Sequence, residues 1–276
     1  HVPGYSEFNR FAIFWRMGDG AIAGVRVDPQ WQGGEQSVNE VSEFMRQLLT
    51  EYLRLEFGSR PDLLAKVVPD YPPGAKRMVR DNGVWARTLM RPNVELVTGA
   101  VARITPTGIV MADGSVHDCD VLIYGTGYEA SKFLTPMRVT GRHGVDLHEQ
   151  WAGDARAYLG VAVPGFPNFF CLYGPNTNIV VNGSIIYFSE CGVRYVLNLL
   201  ELMLANRADT IEVRQDVHDE FNARCDAENR AMAWGHSSVN SWYKNEFGRV
   251  AQNWPFTLLE YWQRTRSASP ADYLIG

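Results

Sequence analysis

Two adjacent cations, Lys76 and Arg77, close the proline-rich stretch 68–77, VPDYPPGAKR, where Pro69, Pro72 and Pro73 exclude regular structure. On a stiffened loop, a planar guanidinium fork beside a point-charge ammonium suits contact with a phosphate or a peroxide anion. A solvated charge pair is the commoner use of a Lys-Arg dipeptide. A second constellation is the turn Gly174-Pro175-Asn176-Thr177-Asn178, between an apolar run at 169–173 and an amphipathic segment from Gly183. Small polar residues ahead of a helix leave its first N–H groups open to an anion or to an electron-rich ring gaining charge. Ordinary capping by Asn178 or Asn182 explains the same residues equally well.

Other motifs carry less. Gly125-x-Gly127-x-x-Ala130 follows an apolar run at 121–124 and formally matches a dinucleotide fingerprint, with Asp146 about 20 residues on. Pro136 and Gly141 interrupt the helix such a fingerprint needs, so a glycine-rich turn at a strand end is the favoured reading. Gly18-x-Gly20 is weaker, with Ala23 where a third glycine belongs. There is no G-x-S-x-G elbow and no H-E-x-x-H. His117-x-Cys119-Asp120 is explained by hairpin alternation, and His218, among acids on a helical face, reads as solvated. No metal is assigned.

The elements that must position these residues follow from periodicity. Ser37 and Glu40 form a capping box ahead of Val41, Phe44, Met45, Leu48, Leu49 and Tyr52, so a helix is expected over 38–57, ended by Gly58. Phe8, Phe11, Phe14 and Trp15 have near-helical spacing. Runs at 94–97, 101–104 and 109–111 alternate with Gly-containing turns and read as short strands. The runs at 121–124 and 169–173 are wholly apolar and read as buried strands, the first of them parallel. Helices are expected over 183–205, capped by Asn182, and near 217–234, with an irregular Trp-rich tail after them. Strands and helices alternate, so the class is α/β or α+β.

Composition sets the outer limits. The 276 residues are 46% hydrophobic and 21% charged, a globular balance large enough for a substantial core or about two domains. Lys plus Arg number 26 and Asp plus Glu 31, so no basic surplus points to nucleic acid or an anionic membrane. No apolar run approaches a membrane span. The four cysteines include no CxxC pair, against structural zinc or a disulfide scaffold. The chain opens on His1, with no signal peptide, which suggests a start inside a longer protein.

Taken in order, VPDYPPGAKRMVRDNG, NVELVTGAVARITPTGIVMADG, DVLIYGTGYEASKF, YLGVAVPGFPNFFCLYGPNTN, GSIIYFSECGVRYVL and VNSWYKN resemble the C-terminal portion of flavin-dependent Baeyer–Villiger monooxygenases. The likeness is greatest to the 4-hydroxyacetophenone monooxygenase-like group. It implies an α/β, partial two-dinucleotide-binding-domain flavoprotein fold with a helical insertion and short β-hairpins. Residues 1–125 would be the remainder of an NADP-binding domain, with the insertion at about 1–68, and 126–276 the C-terminal part of an FAD-binding domain.

The resemblance also implies roles. Lys76 would contact the 2′-phosphate of NADPH, and Arg77 would stabilise the peroxyflavin that attacks a ketone to give an ester, since a cation keeps a peroxide anion deprotonated. The turn Gly125-Thr126-Gly127-Tyr128 would be the crossing from the NADP to the FAD domain, with Gly125 replacing the family's usual Ala. Asn176, Thr177 and Asn178 would approach the isoalloxazine of FAD, and Trp242 would lie on a segment closing over the nicotinamide. Both nucleotide-binding fingerprints of the family, and the His-containing signature between them, are missing from this sequence, so the chain by itself is expected to be inactive and to hold neither FAD nor NADPH tightly. Expected partners are a small ketone and O2, with homodimer formation open, in the cytoplasm. An N- or S-oxygenating flavin monooxygenase of the same fold, and a non-catalytic binding module, remain alternatives.

Overall fold

A computed structural model describes residues 3–16, 18–78, 81–181 and 183–276. In chain order the elements are α1 (Tyr5–Arg16), α2 (Glu40–Phe57), α3 (Pro61–Val67), α4 (Val84–Leu89), β1 (Val101–Thr105), β2 (Gly108–Met111), β3 (Val116–Asp118), α5 (Leu147–Trp151), α6 (Ile185–Ala205), β4 (Ile211–Val213), α7 (Gln215–Arg230), α8 (Leu258–Thr265) and β5 (Tyr273–Ile275). They divide into two compact units. One comprises the residues up to Arg46, Tyr71–Met78 and Glu129–Gly276; the other comprises Gln47–Asp70 and Val79–Tyr128.

The larger unit is built around α6, α7 and α8. Phe188, Tyr195, Leu199, Cys225, Trp254 and Tyr261 form its main core, with the Phe188 and Tyr261 rings stacked at 4.1 Å. The chain end is fastened by antiparallel pairing of β4 with β5, Ile211 opposite Ile275 and Val213 opposite Tyr273. A second cluster in this unit joins Val25, Val38, Ala75, Met232, Trp234 and Tyr243. The smaller unit packs Phe57, Leu63 and Ala86 together and carries the antiparallel meander β1–β2–β3. A two-residue hairpin joins β1 to β2, with Thr105 paired to Gly108. A Cβ on Gly108 would lie 2.1 Å from the His117 carbonyl oxygen, so only glycine allows that approach.

Helix ends depart from the sequence expectations for local reasons. α2 begins at Glu40, because the Asn39 side chain, not Ser37, accepts from the Ser42 N–H at 2.7 Å. The Ser37 hydroxyl instead donates to Glu43. α6 begins at Ile185 and is capped by Ser184; Gly183 has φ +73° and cannot be helical, and Asn182 lies outside the described residues. α7 ends at Arg230, and the tail contains α8, capped by Thr257.

Three strand expectations are corrected. Residues 94–97 are irregular. The run 121–124 is irregular and unpaired among the described residues, and Ile123 is 87% exposed. A parallel strand exists only through neighbours that pair with its edges, and no described strand pairs with this one. The run 169–173 makes a single bridge, Phe170 to Ala162, because Asn168 and Tyr173 take φ of +60° and +56° and end the extended backbone on both sides. His218, expected in solvent, is buried on α7 with Phe221, Asn222 and Cys225. No described helix is long and apolar enough to cross a membrane, and no group of three or more His, Cys, Asp or Glu among the described residues could hold a metal ion.

Candidate functional site

The loop carrying the paired cations is fixed from beneath. The Ala75 N–H donates to the Pro72 carbonyl at 3.0 Å, and Ala75 is fully buried. Gly74, at φ +79°, brings the backbone so near Val25 that a Cβ would lie 2.5 Å from its Cγ1. Beyond these fixed residues Lys76 is half-buried and Arg77 exposed. Lys76 lies over the Tyr71 ring, 4.3 Å from its centroid. Arg77 donates from Nη1 to the Ile179 carbonyl at 3.3 Å. Neither cation has a carboxylate partner among the described residues.

The turn from Gly174 to Asn178 is buried throughout. Asn176 donates to the carbonyls of Val250 (2.8 Å) and Asn253 (3.1 Å) and accepts from Arg249 at 3.2 Å. The Thr177 hydroxyl donates to the Gly174 carbonyl at 2.7 Å. The Asn178 amide donates to Asn253 Oδ1 at 2.7 Å, and its oxygen accepts from the Tyr173 hydroxyl at 2.9 Å. The side chains of Asn176, Thr177 and Asn178 are thus turned to internal bracing, and the next residue, Ile179, offers the carbonyl that accepts from Arg77.

Two tyrosines feel the charge of Arg77. Burial pushes the Tyr173 phenol up, and Arg77 opposes that rise. Burial carries Tyr243 up to about 12, again against the pull of Arg77. Both phenols therefore stay protonated at neutral pH, as hydrogen-bond donors beside a cation. Tyr173 holds its φ of +56° in a region that bulky residues avoid, and such strain clusters at functional sites. Trp242 is 43% exposed and its ring lies 4.6 Å from that of Tyr243.

Lys76, Arg77, Asn176, Thr177, Asn178 and Trp242 all belong to the larger unit. Gly125, Thr126 and Gly127 belong to the smaller one, on an exposed irregular segment with open space around Gly125 and Gly127. Sequence reasoning missed Tyr173, Tyr243, Asn253 and Arg249. Tyr243 stands beside Trp242 in a stretch already singled out, but nothing local marks Asn253 or Arg249.

This arrangement can be set beside known proteins. A monooxygenase of Sinorhizobium fredii, itself uncharacterized, is 38% identical over 273 residues, which is 99% of this chain and 41% of that protein. A Baeyer-Villiger monooxygenase of Pseudomonas aeruginosa is 30% identical over 97% of this chain and 50% of its own length. A third relative, an FAD-binding monooxygenase of Aspergillus niger, is 33% identical over 82% of this chain and 37% of its own length. Among solved structures, an oxidized steroid monooxygenase bound to NADP has a TM-score of 0.72 and 29% identity, covering 85% of this chain and 45% of that one. The complex of OTEMO with FAD and NADP has a TM-score of 0.72 and 27% identity, covering 86% and 45%. The fold is therefore the mixed α/β fold of these monooxygenases, over about half of their length. The chain likewise spans half or less of the curated relatives named above. No protein-family model matches it.

Proposed function

We propose that the chain is the C-terminal portion of an NADPH- and O2-dependent FAD monooxygenase that converts a small ketone to an ester, akin to the 4-hydroxyacetophenone monooxygenase-like group. The observation that carries this reading is Arg77: an exposed residue with no carboxylate partner among the described residues, anchored by one carbonyl and close enough to two phenols for its charge to oppose their rise in pKa. In a protein with more acids than bases, a cation left without an acid is suited to an anionic ligand. FAD, when bound, supplies the acceptance of hydride from NADPH and the activation of O2.

The residues present fit such a group. Arg77 would hold negative charge on oxygen and keep it unprotonated for attack on a carbonyl carbon. Lys76 would meet the 2′-phosphate of NADPH as a point charge. Trp242 would cover the nicotinamide. The braced turn at Asn176, Thr177 and Asn178 would offer a rigid backbone to the flavin ring. In this reading residues 1–125 continue an NADP-binding domain, 126–276 an FAD-binding domain, and Gly125, Thr126 and Gly127 form the crossing. The loop with Lys76 and Arg77 shares a compact unit with 129–276, which agrees with its acting at the flavin side.

The test is product analysis. The whole protein, supplied with FAD, NADPH and O2, is given a panel of alkyl and aryl ketones, amines and sulfides. Esters from ketones support the reading. Oxidised amines or sulfides with untouched ketones favour an N- or S-oxygenating enzyme, and a protein that stays colourless with FAD is no flavoenzyme.

A further inference from the structure

Lys244 carries a cation that no acid answers. Its Nζ donates to the carbonyls of His236 and Val239, both at 2.8 Å, and it makes no ion pair among the described residues. Burial pulls the ammonium down from its ordinary value. Removing a charge from water is costly unless strong hydrogen bonds offset it, so these two bonds are what the buried ammonium accomplishes.

They close a ring across residues 236–244, the loop that carries Trp242. The loop's other hydrogen bonds are short-range. The Val239 N–H donates to the His236 carbonyl at 3.1 Å, the Lys244 N–H to the Ser241 carbonyl at 3.1 Å, and His236 shares a bond with the Ser238 hydroxyl at 2.8 Å. The far end of the loop is rooted in the fold. The Ala251 N–H donates to the Tyr243 carbonyl at 2.9 Å, Lys244 pairs antiparallel with Val250, and the Ser131 hydroxyl donates to the Lys244 carbonyl at 3.4 Å. The ammonium therefore ties that fixed root back to the start of the loop, through charge-assisted bonds about twice as strong as neutral ones.

Trp242 lies inside the ring. Its indole is 43% exposed and stands 4.6 Å from the Tyr243 ring, which is buried in one cluster with Ala75, the residue before Lys76 and Arg77. Where the loop is held thus decides where the indole stands relative to the two cations. We infer that Lys244 is a positioning residue, clamping the His236 and Val239 carbonyls so that Trp242 is presented beside the Lys76 and Arg77 loop to cover the nicotinamide. This role rests on the proposed function and acts through Trp242.

A double-mutant cycle on the whole, FAD-loaded protein tests it. Lys244→Met removes the ammonium and keeps an unbranched stem. The NADP+ dissociation constant, read by calorimetry, should rise about three- to tenfold, because the presenting conformation is then only fractionally populated. Trp242→Ala alone should weaken NADP+ at least as much. In that background Lys244→Met should change the constant by less than about twofold, since the two residues act as one unit. The FAD dissociation constant should hold throughout. Chymotrypsin should also cut after Trp242 faster in Lys244→Met than in wild type, because the loop opens more often. Should Lys244→Met fail to fold, Lys244→Gln, which keeps an N–H donor, carries the same cycle with a smaller rise. An NADP+ constant unchanged by loss of the ammonium, an equal rise with and without Trp242, or a parallel loss of FAD would overturn the inference. Wild type that does not bind NADP+, or Trp242→Ala that binds it as wild type does, would instead overturn the reading on which it rests.

Discussion

Arg249 ties together the pieces that carry the candidate site, so its removal should be felt widely. Its guanidinium pairs with Asp154 and with Asp226 (3.2 Å), donates to the Ala155 carbonyl (2.5 Å), and reaches Asn176 Oδ1 (3.2 Å). Arg156 bridges the same two acids at 2.9 and 2.8 Å. The Arg249 and Asp226 side chains are only 11% and 15% exposed. Breaking a fully buried pair from one side costs about 3–5 kcal/mol, whereas exposed pairs contribute about 0–1 kcal/mol. Because Arg156 remains to serve both acids, Arg249→Met should fall short of the buried limit. The orphaned Ala155 carbonyl adds part of a buried acceptor's penalty. A loss of about 3 kcal/mol follows. At about 2–4 °C per kcal/mol for a chain of this size, the melting point should fall by about 6–12 °C.

The same substitution should change the response to acid. Burial alone would raise the Asp154 pKa, but Arg249 and Arg156 outweigh it and hold the carboxyl below its ordinary value. A depressed folded-state pKa gives stability that is present above the ordinary carboxylate range and lost as pH falls through the folded value. With Arg249 gone the Asp154 carboxyl loses part of that depression, so less stability is left for acid to remove and the gap between variant and wild type should narrow as pH falls. Circular-dichroism melts of wild type, Arg249→Met and Arg249→Lys between pH 3 and pH 7 read both effects. Lys restores charge without the planar fork, and only part of the loss should return. A melting point within about 1 °C of wild type, or an unchanged acid limb, would refute this account of the network.

Gly74→Ala should destabilise the larger unit by about 1–3 kcal/mol, because a left-handed φ is unfavourable for alanine and its Cβ meets Val25; a thermal melt checks it, and no shift would argue against the fixed loop. Burial pushes the Cys171 thiol up to about 12 and raises those of Cys191 and Cys225, while Cys119 is exposed. A colorimetric thiol reagent near pH 8 should thus titrate one cysteine of this chain when folded and four when denatured. Rapid reaction of more than one in the folded chain would contradict the packing around α6 and α7.

Local chemistry made much of this legible in the sequence. The prolines near 70 marked the loop of Lys76 and Arg77, the 3.6-residue spacing marked α2 and α6, and the Gly-containing turns marked β1 and β2. What failed depended on distant partners. An apolar run such as 121–124 reads as a buried strand only if neighbours pair with it, and none of the described strands does. His218 looked solvated because acids surround it in sequence, yet 218, 221, 222, 225 and 229 form one buried stripe of α7. The bracing role of Asn178 is decided by Asn253, 75 residues away, and no local pattern announces that contact. Residue types at the site could therefore be picked out, but not which of them face inward.

In the proposed function, Arg77 stabilises negative charge on oxygen during ketone oxygenation. The most direct test of that role is kcat for ketone oxygenation by Arg77→Ala in the whole FAD-loaded protein, with FAD affinity measured alongside. A fall of about 10²–10³-fold is expected, the usual consequence of removing a group aimed at developing negative charge, with FAD still bound and with Arg77→Lys retaining more activity than Ala. Oxygenation of ketones at the wild-type rate by Arg77→Ala would contradict it.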